Sequence, residues 1–164
     1  MRDQTTCTIR PARVGDAERL LEIRCQAILE LAVPALSPEK AQAWAARRDL
    51  AWMRSKISAN PLWVAEFEEV FVAWIATEGS RIIGLYVDPT YSRRGFASRL
   101  LMVAEHEFRA SGVHTITLES SRNAEDFYCR HGYEPTADRP MKGPRPMRKV
   151  LDAPREARPL RSAP

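Results

Sequence analysis

The sequence lacks any apolar run of the roughly 18–20 residues that a helix needs to cross a bilayer. Its first twenty residues also lack an apolar stretch followed by a small-residue cleavage site, the pattern of a secretory leader. We therefore expect a cytoplasmic protein that has no membrane partner.

Residues that bind metals or form disulfides are few and scattered. The chain has three cysteines and three histidines, namely Cys7, Cys25, Cys129, His106, His114 and His131. No CxxC pair occurs, and His106-Glu107 is not followed by the second histidine of a zinc-protease helix. This pattern argues against a disulfide framework or a cysteine-rich metal site, so we expect no metal cofactor.

Nucleotide-binding fingerprints are absent as well, because neither GxGxxG nor GxxxxGK[ST] occurs. The net charge of +4, from 25 Lys and Arg against 21 Asp and Glu, is mild and suits any anionic ligand. Several of the basic residues lie between 139 and 149, where no aromatic residue follows Tyr133. Nucleic-acid-binding surfaces usually combine both features, so we expect no nucleic-acid partner.

The composition is that of an ordinary globular protein, with 45% hydrophobic and 28% charged residues in 164 positions. We predict one domain over residues 1–151. The remaining residues, 152–164, are rich in proline and arginine without periodicity, and we predict that this tail is disordered.

Hydrophobic periodicity predicts an alternation of helices and strands. Asp16 is the predicted N-cap of the first helix, and Ser37-Pro38 begins a second helix that ends near Asn60-Pro61. The predicted strands are 7–10, 62–67, 70–77, 81–87, 113–119, 133–137 and 146–151, and the predicted helices are 16–31, 37–60, 97–111 and 123–131.

This order predicts an α+β fold with a mixed sheet and helices on both of its faces. The short turns between the strands at 62–87 favour antiparallel hairpins. The strand–helix–strand connection over 81–119 predicts one parallel pair joined by a right-handed crossover.

The segment from Leu85 to Ala97 carries the clearest chemical signal. A strand runs through a turn into a helix, whose first N–H groups have no carbonyl partner and favour an anion such as a pyrophosphate. Gly95 leaves the backbone bare, and Arg93 and Arg94 add positive charge. Alone, an Arg-Arg-Gly turn is more often a solvated basic turn before an amphipathic helix.

Two motifs give this segment a family context. Ser92-Arg93-Arg94-Gly95-Phe96-Ala97 behind Leu85-Tyr86-Val87-Asp88-Pro89 resembles motif A of the GNAT family (GCN5-related N-acetyltransferases), [Q/R]-x-x-G-x-[G/A]. Residues 121–133, SRNAEDFYCRHGY, resemble motif B, [N/S]-x-x-A-x-x-[F/L]-Y-x-x-x-G-[F/Y]. The opening Ile9-Arg10-Pro11-Ala12, followed by Gly15-Asp16-Ala17, is also similar to the family's start. The resemblance covers residues 7–151.

The resemblance implies a GNAT fold and acetyl-CoA as co-substrate. In the family, the strands that flank the central helix splay apart and the pantetheine arm inserts between them. The implied cofactor-binding residues are Leu85, Tyr86, Val87, Ser92, Arg93, Arg94, Gly95, Phe96, Ala97, Ser98, Ser121, Asn123 and Tyr128. Tyr128 matches the tyrosine that protonates the departing CoA thiolate, and Arg99 is a further candidate for a phosphate contact.

The sequence departs from the family pattern at three places. Ser92 replaces the usual Gln or Arg, and Ser121 stands where Asn is common. The strand at 81–87 also carries no Asp or Glu, where many relatives place a general base. Glu66, Glu78 and Glu119 remain candidates, and binding of the amine in a partly deprotonated form is the alternative, so the base is unassigned.

The leading hypothesis is an N-acetyltransferase that acts on a small amine by direct attack. Acetylation of a protein N-terminus or lysine is one alternative, and a catalytically silent acyl-CoA sensor is another. Cys129 adjoins Tyr128, but no His-Asp pairing supports a cysteine nucleophile. The sequence leaves a homodimer open. The candidate acceptor-side residues are Glu30, Trp44, Arg47, Arg48, Trp52, Trp63 and Trp74.

Overall fold

The structure is a computed structural model, which describes residues 7–32, 35–138 and 140–151. The tail predicted to be disordered, 152–164, lies outside the described residues.

Seven strands form one sheet in the order β1-β2-β3-β4-β5-β7-β6. They are β1 (Thr8–Pro11), β2 (Leu62–Phe67), β3 (Val70–Glu78), β4 (Arg81–Val87), β5 (Thr115–Ser120), β6 (Glu134–Pro135) and β7 (Arg145–Val150). All neighbours are antiparallel except β4 and β5, which confirms the predicted mixed sheet. The strand predicted over 133–137 shortens to two residues. The Thr136 amide still donates to the Pro146 carbonyl at 3.0 Å, but Pro146 has no N–H to return the bond and extend the ladder.

Five α-helices connect these strands: α1 (Ala17–Gln26), α2 (Pro38–Ala45), α3 (Leu50–Ala59), α4 (Phe96–Ala110) and α5 (Glu125–Arg130). Helix α1 continues into a π-helical turn, Ala27–Leu31, which completes the helix predicted over 16–31. Such turns are rare and frequently lie at functional sites.

The single helix predicted over 37–60 is wrong, because the chain forms α2 and α3 there. Ser37 caps α2 as predicted, since its hydroxyl accepts a hydrogen bond from the Lys40 amide at 3.4 Å. Asp49 then adopts an extended conformation, and its carboxylate accepts a bond from the Trp52 amide at 2.8 Å. Because Asp49 caps α3 in this extended conformation, α2 cannot continue through it.

Asp16 is the N-cap residue of α1, as predicted, but its side chain does not bond to the first amides of that helix. A 3-10 turn, Val14–Asp16, precedes α1, and the Asp16 carboxylate accepts a bond from the Arg13 amide at 2.8 Å instead of capping α1. Arg10 pairs with the same carboxylate at 2.9 Å. Asp16 therefore fixes the 3-10 turn that leads into α1.

Both faces of the sheet are covered, as predicted. On one face, Leu100, Leu101 and Phe108 of α4 pack against the sheet in the larger core cluster. On the other face, α1 and α3 form a second cluster around the fully buried Trp74. The Trp74 indole donates a hydrogen bond to the Leu20 carbonyl at 2.9 Å, which joins α1 to β3.

The two parallel strands β4 and β5 separate soon after they meet. Their ladder contains only the pairs Arg81–Thr117 and Ile82–Leu118. Beyond Ile82, β4 stays paired with β3 through Val87 but has no β5 partner. One edge of β4 is thus open over residues 84–87, which is the splayed arrangement that the family resemblance implies.

A bulge lies where the two strands separate. Ile82 pairs with Thr77 and Gly84 pairs with Ala76, which leaves Ile83 as an extra residue in β4. The sequence suggested that Gly84 eases such a bulge. The structure adds a steric reason, since a Cβ on Gly84 would lie only 3.0 Å from the Trp74 ring.

Asp88 ends β4 and starts the turn toward α4. Its carboxylate accepts a hydrogen bond from the Thr90 amide at 2.9 Å and forms an ion pair with Arg19 of α1. Burial opposes ionisation, but these bonds outweigh it and hold the pKa of the Asp88 carboxyl below its usual value. One buried carboxylate therefore connects the turn to the opposite layer of helices.

We expect Asp88→Asn to lower the free energy of unfolding by about 2 kcal/mol at pH 7, because the amide keeps the cap but loses the charged bond to Arg19. A lowered folded-state pKa stabilises the fold above the unfolded pKa and loses this effect as pH falls. In urea unfolding, the difference from wild type should therefore shrink below about pH 4.

The matched control is Asp49→Asn, which retains a good cap at an exposed position and should change stability by less than about 0.5 kcal/mol. Equal effects of the two substitutions at pH 7 would contradict the assignment of an ion pair to Asp88.

Candidate active site

A cleft of about 760 Å³ opens where β4 and β5 separate. Its walls come from the end of β4, the turn before α4, the first turn of α4, and residues 121–131 around α5. The π-helical turn and Trp44 of α2 complete it from the other helical layer. Elements on both faces of the sheet thus contribute to a single cavity.

Nearly all the residues that the family resemblance implied for the cofactor lie in this cleft. They are Leu85, Tyr86, Val87, Ser92, Arg93, Gly95, Phe96, Ala97, Ser98, Ser121, Asn123 and Tyr128. Two motifs that are about thirty residues apart in the sequence therefore meet at one cavity.

The turn before α4 has an unusual backbone. Arg93 has φ +59° and Gly95 has φ +84°, so two left-handed residues flank Arg94. Gly95 is the N-cap of α4, and a Cβ built on it would meet no atom within 4 Å. Alternating backbone conformations of this kind turn successive N–H groups toward one point, and the helix dipole adds positive potential there. This cradle suits a phosphate group.

The side chain of Arg94 has a different place from the one predicted. Its guanidinium lies over the rings of Phe67, Tyr91 and Phe96, at 4.6, 5.4 and 5.8 Å from their centroids, and does not line the cleft. Arg94 thus holds the turn against the aromatic core. The Arg99 side chain is also outside the cleft, whereas Arg93 lines it.

Arg130, which the sequence interpretation missed, lines the cleft from the last residue of α5. The helical spacing gave no signal for it, because residues two positions apart point to nearly opposite sides of an α-helix.

Tyr128 is buried between Phe127 and Tyr133, with ring centroids at 5.2 and 5.5 Å. Burial, followed by the neighbouring Tyr86 phenol, raises the pKa of its hydroxyl well above the usual value of 10. The hydroxyl makes no hydrogen bond to any residue in the described part of the chain. Tyr128 is thus a protonated phenol at the cleft wall, free to donate.

His131 fixes α5 against α4, a role that the sequence did not reveal. Its Nδ1 lies 2.8 Å from the Phe127 carbonyl, and its Nε2 lies 3.0 Å from the Ser98 hydroxyl. Because a carbonyl only accepts, Nδ1 carries a proton, and in the neutral ring the Ser98 hydroxyl donates to Nε2. This bridge holds the helix of Tyr128 against the cradle.

Family membership follows from comparison with known proteins. The profile described as "Acetyltransferase (GNAT) domain" matches residues 32–143. The chain belongs to the GNAT acetyltransferase family. The expectation of an acyltransferase is thereby confirmed.

Relatives of this GNAT protein span nearly the same length. The chain is 32% identical over 129 residues to the uncharacterized N-acetyltransferase YafP of Escherichia coli K12, covering 77% of this chain and 80% of that protein. It is also similar to a GCN5-related N-acetyltransferase structure from Rhodopseudomonas palustris, described as "Aminotransferase, Class-II", with a TM-score of 0.83, 27% identity, and coverage of 89% and 96%.

A third match shows the shared fold at lower identity. The PaiA N-acetyltransferase of Thermoplasma acidophilum, solved in complex with coenzyme A, superposes with a TM-score of 0.79 at 18% identity, over 89% of this chain and 99% of that one.

The carboxylates proposed as bases lie away from the cleft of this GNAT protein. Each faces a cation elsewhere: Glu66 lies 3.8 Å from Arg10, Glu78 lies 3.4 Å from Lys56, and Glu119 lies 3.8 Å from Arg81. Cys129 is exposed and does not line the cavity either. Of the described lining residues, none is Asp or Glu.

Of the acceptor-side residues suggested by the sequence, only Trp44 lines the cleft. Trp74 is core, and Trp52 and Trp63 pack against the two core clusters. The charged candidates Glu30, Arg47 and Arg48 are exposed. Within the described ranges, no helix is long and apolar enough to span a membrane, and no three His, Cys, Asp or Glu residues cluster as metal ligands do.

We expect Gly95→Glu to abolish binding of CoA, because it places bulk and negative charge in the cradle and forces a side chain into a left-handed conformation. Isothermal titration with CoA measures this effect.

Gly112→Glu is the control, since Gly112 also has positive φ and open space around its missing Cβ but lies beyond the opposite end of α4. It carries the same backbone cost and should keep wild-type affinity. Equal loss of affinity in both variants would locate the phosphate site elsewhere.

Proposed function

We propose that the protein transfers an acetyl group from acetyl-CoA to the amine of a small molecule. One observation carries this proposal: the open edge of β4, the cradle before α4 and the buried hydroxyl of Tyr128 meet in one cleft. The coenzyme A complex of the structurally similar PaiA protein supports the identity of the donor.

The residues present suit CoA. The amides of Arg93 to Ser98 would hold the pyrophosphate, and the Arg93 and Arg130 side chains supply positive charge beside them. Leu85 and Val87 have backbone groups without a partner on this edge. These groups would hydrogen-bond to the amides of the pantetheine arm, which would then lie beside β4 like an added strand. Ser121 and Asn123 lie across the gap, with side chains that hydrogen-bond to such an arm.

Tyr128 would supply the acid. The amine nitrogen attacks the thioester carbonyl carbon, and the carbon–sulfur bond breaks as the new amide forms. The sulfur leaves as a basic thiolate, to which the Tyr128 hydroxyl donates its proton. The nitrogen loses its surplus proton to water. No covalent enzyme intermediate is involved, in keeping with the position of Cys129 outside the cleft.

The apolar lining of one part of the cleft favours a small acceptor over a protein. We place the acceptor beside the π-helical turn and Trp44 of α2, which line the cleft. A protein N-terminus or lysine would need an open groove for the residues that flank it. We therefore prefer a small amine to a peptide.

Incubation with acetyl-CoA and a panel of amines, followed by detection of released thiol, tests the proposal. We expect turnover with at least one small amine. Binding of CoA without turnover on any amine or peptide would favour the silent sensor, and turnover on peptides alone would favour a protein acetyltransferase. Failure to bind CoA would overturn the proposal entirely.

Tyr128→Phe should lower kcat about 100-fold while the KM for acetyl-CoA stays nearly unchanged, because the ring remains and only the acid is lost. Since the pKa of Tyr128 is raised above 10, this hydroxyl should cause no fall in wild-type kcat between pH 7 and about 10.

Tyr133→Phe serves as the control. Its hydroxyl bonds to Glu105 at 3.2 Å, outside the cleft, so this variant should lose stability but not turnover. An unchanged rate in Tyr128→Phe would remove Tyr128 as the acid.

A further inference from the structure

The end of the cleft formed by the π-helical turn is apolar. The side chains there belong to Ala27, Ile28, Leu31, Ala32 and Trp44. Since no described lining residue is Asp or Glu, this end offers no counter-charge to a cationic ligand. The phenols of Tyr86 and Tyr128 line the same cleft.

A buried cation lies directly behind this wall. Arg24 of α1 is 3% exposed, and its guanidinium donates hydrogen bonds to the carbonyls of Ala45, at 3.0 Å, and Trp44, at 3.2 Å. These carbonyls end α2, where the helix dipole is negative. The guanidinium carbon also lies 5.9 Å from the ring centroid of Tyr86.

Arg24 has no ion pair with a carboxylate in the part of the chain that the structure describes. Its charge is shared among carbonyls, aromatic rings and the Tyr86 hydroxyl. Residues on both sides of it, Trp44 and Tyr86, line the cleft. A ligand at the apolar end would therefore bind close to a net positive charge.

We propose that the acceptor is a monoamine carried on an uncharged apolar group, which seats against the π-helical turn and Trp44 and reacts as the free base. This inference rests on the proposed function. It excludes diamines, polyamines and guanidino compounds as good acceptors, because each would carry a second cation into a site that has no anion to pair with it.

The same surroundings account for the absence of a carboxylate base. A low-dielectric pocket and a nearby cation both disfavour an ammonium ion, so a bound amine sheds its proton to water before it attacks. The enzyme then needs an acid for the thiolate but no dedicated base. Arg24, Arg48 and Cys25 act electrostatically on Tyr86, and Tyr86 acts on Tyr128. Both tyrosines line the cleft.

A matched pair of acceptors tests this inference. Hexylamine and hexamethylenediamine have the same chain length, and the second ammonium is their main difference. We expect kcat/KM for hexylamine to exceed that for hexamethylenediamine by at least about tenfold, and to rise with pH as the free base accumulates. A preference for the diamine would overturn the inference while leaving the proposed function intact.

A pair of variants adds a second test. Leu31→Glu places a carboxylate in the cleft, whereas Leu29→Glu places one two residues away, on an exposed side chain that does not line it. We expect Leu31→Glu to reverse the preference toward the diamine and Leu29→Glu to keep the wild-type preference. Thermal unfolding and CoA affinity of both variants verify that the fold and the donor site persist.

Identical acceptor preferences in the two folded variants would overturn the placement of the acceptor. Absence of turnover with every amine, despite CoA binding, would instead overturn the proposed function on which this inference rests.

Discussion

The site depends on the early end of the ladder between β4 and β5. Two residue pairs join these strands, after which β4 continues alone and leaves backbone groups without partners along one edge. Buried backbone groups are costly without hydrogen bonds, so an open edge inside a fold is stable only where water or a ligand pairs with it. The cleft, the cradle and Tyr128 are all arranged around this gap.

Constraints on either side keep the gap open. Ile83 bulges from β4, Trp74 occupies the space over Gly84, and the Asp88–Arg19 pair holds the end of the strand toward α1. Across the gap, the bridge between His131 and Ser98 holds α5 against α4. The proposed donor site therefore depends on contacts from both helical layers, whereas one layer builds the apolar part of the cleft in which we place the acceptor.

Much of this arrangement was predictable from short-range signals. The sheet was predictable from strands with a period of two, and the start of α2 from Ser37-Pro38. The two family motifs predicted most of the residues that line the cleft. The features that could not be predicted from the sequence depend on contacts between residues that are distant in the chain. Nothing local to Arg94 indicates that Phe67, from a distant strand, joins Tyr91 and Phe96 beneath it, and nothing around His131 points to Ser98. The break at Asp49 was missed because the apolar periodicity continues on both sides of a cap.

The most direct test of the open-edge assignment is hydrogen–deuterium exchange at single-residue resolution, with and without CoA. We expect CoA to slow exchange of those amides in residues 84–87 that do not bond to β3, together with the amides of Arg93 to Ser98, while exchange in β1 and β2 stays unchanged. If saturating CoA slowed exchange in the cradle but left the exchange rates of residues 84–87 unchanged, the pantetheine arm would not insert beside β4.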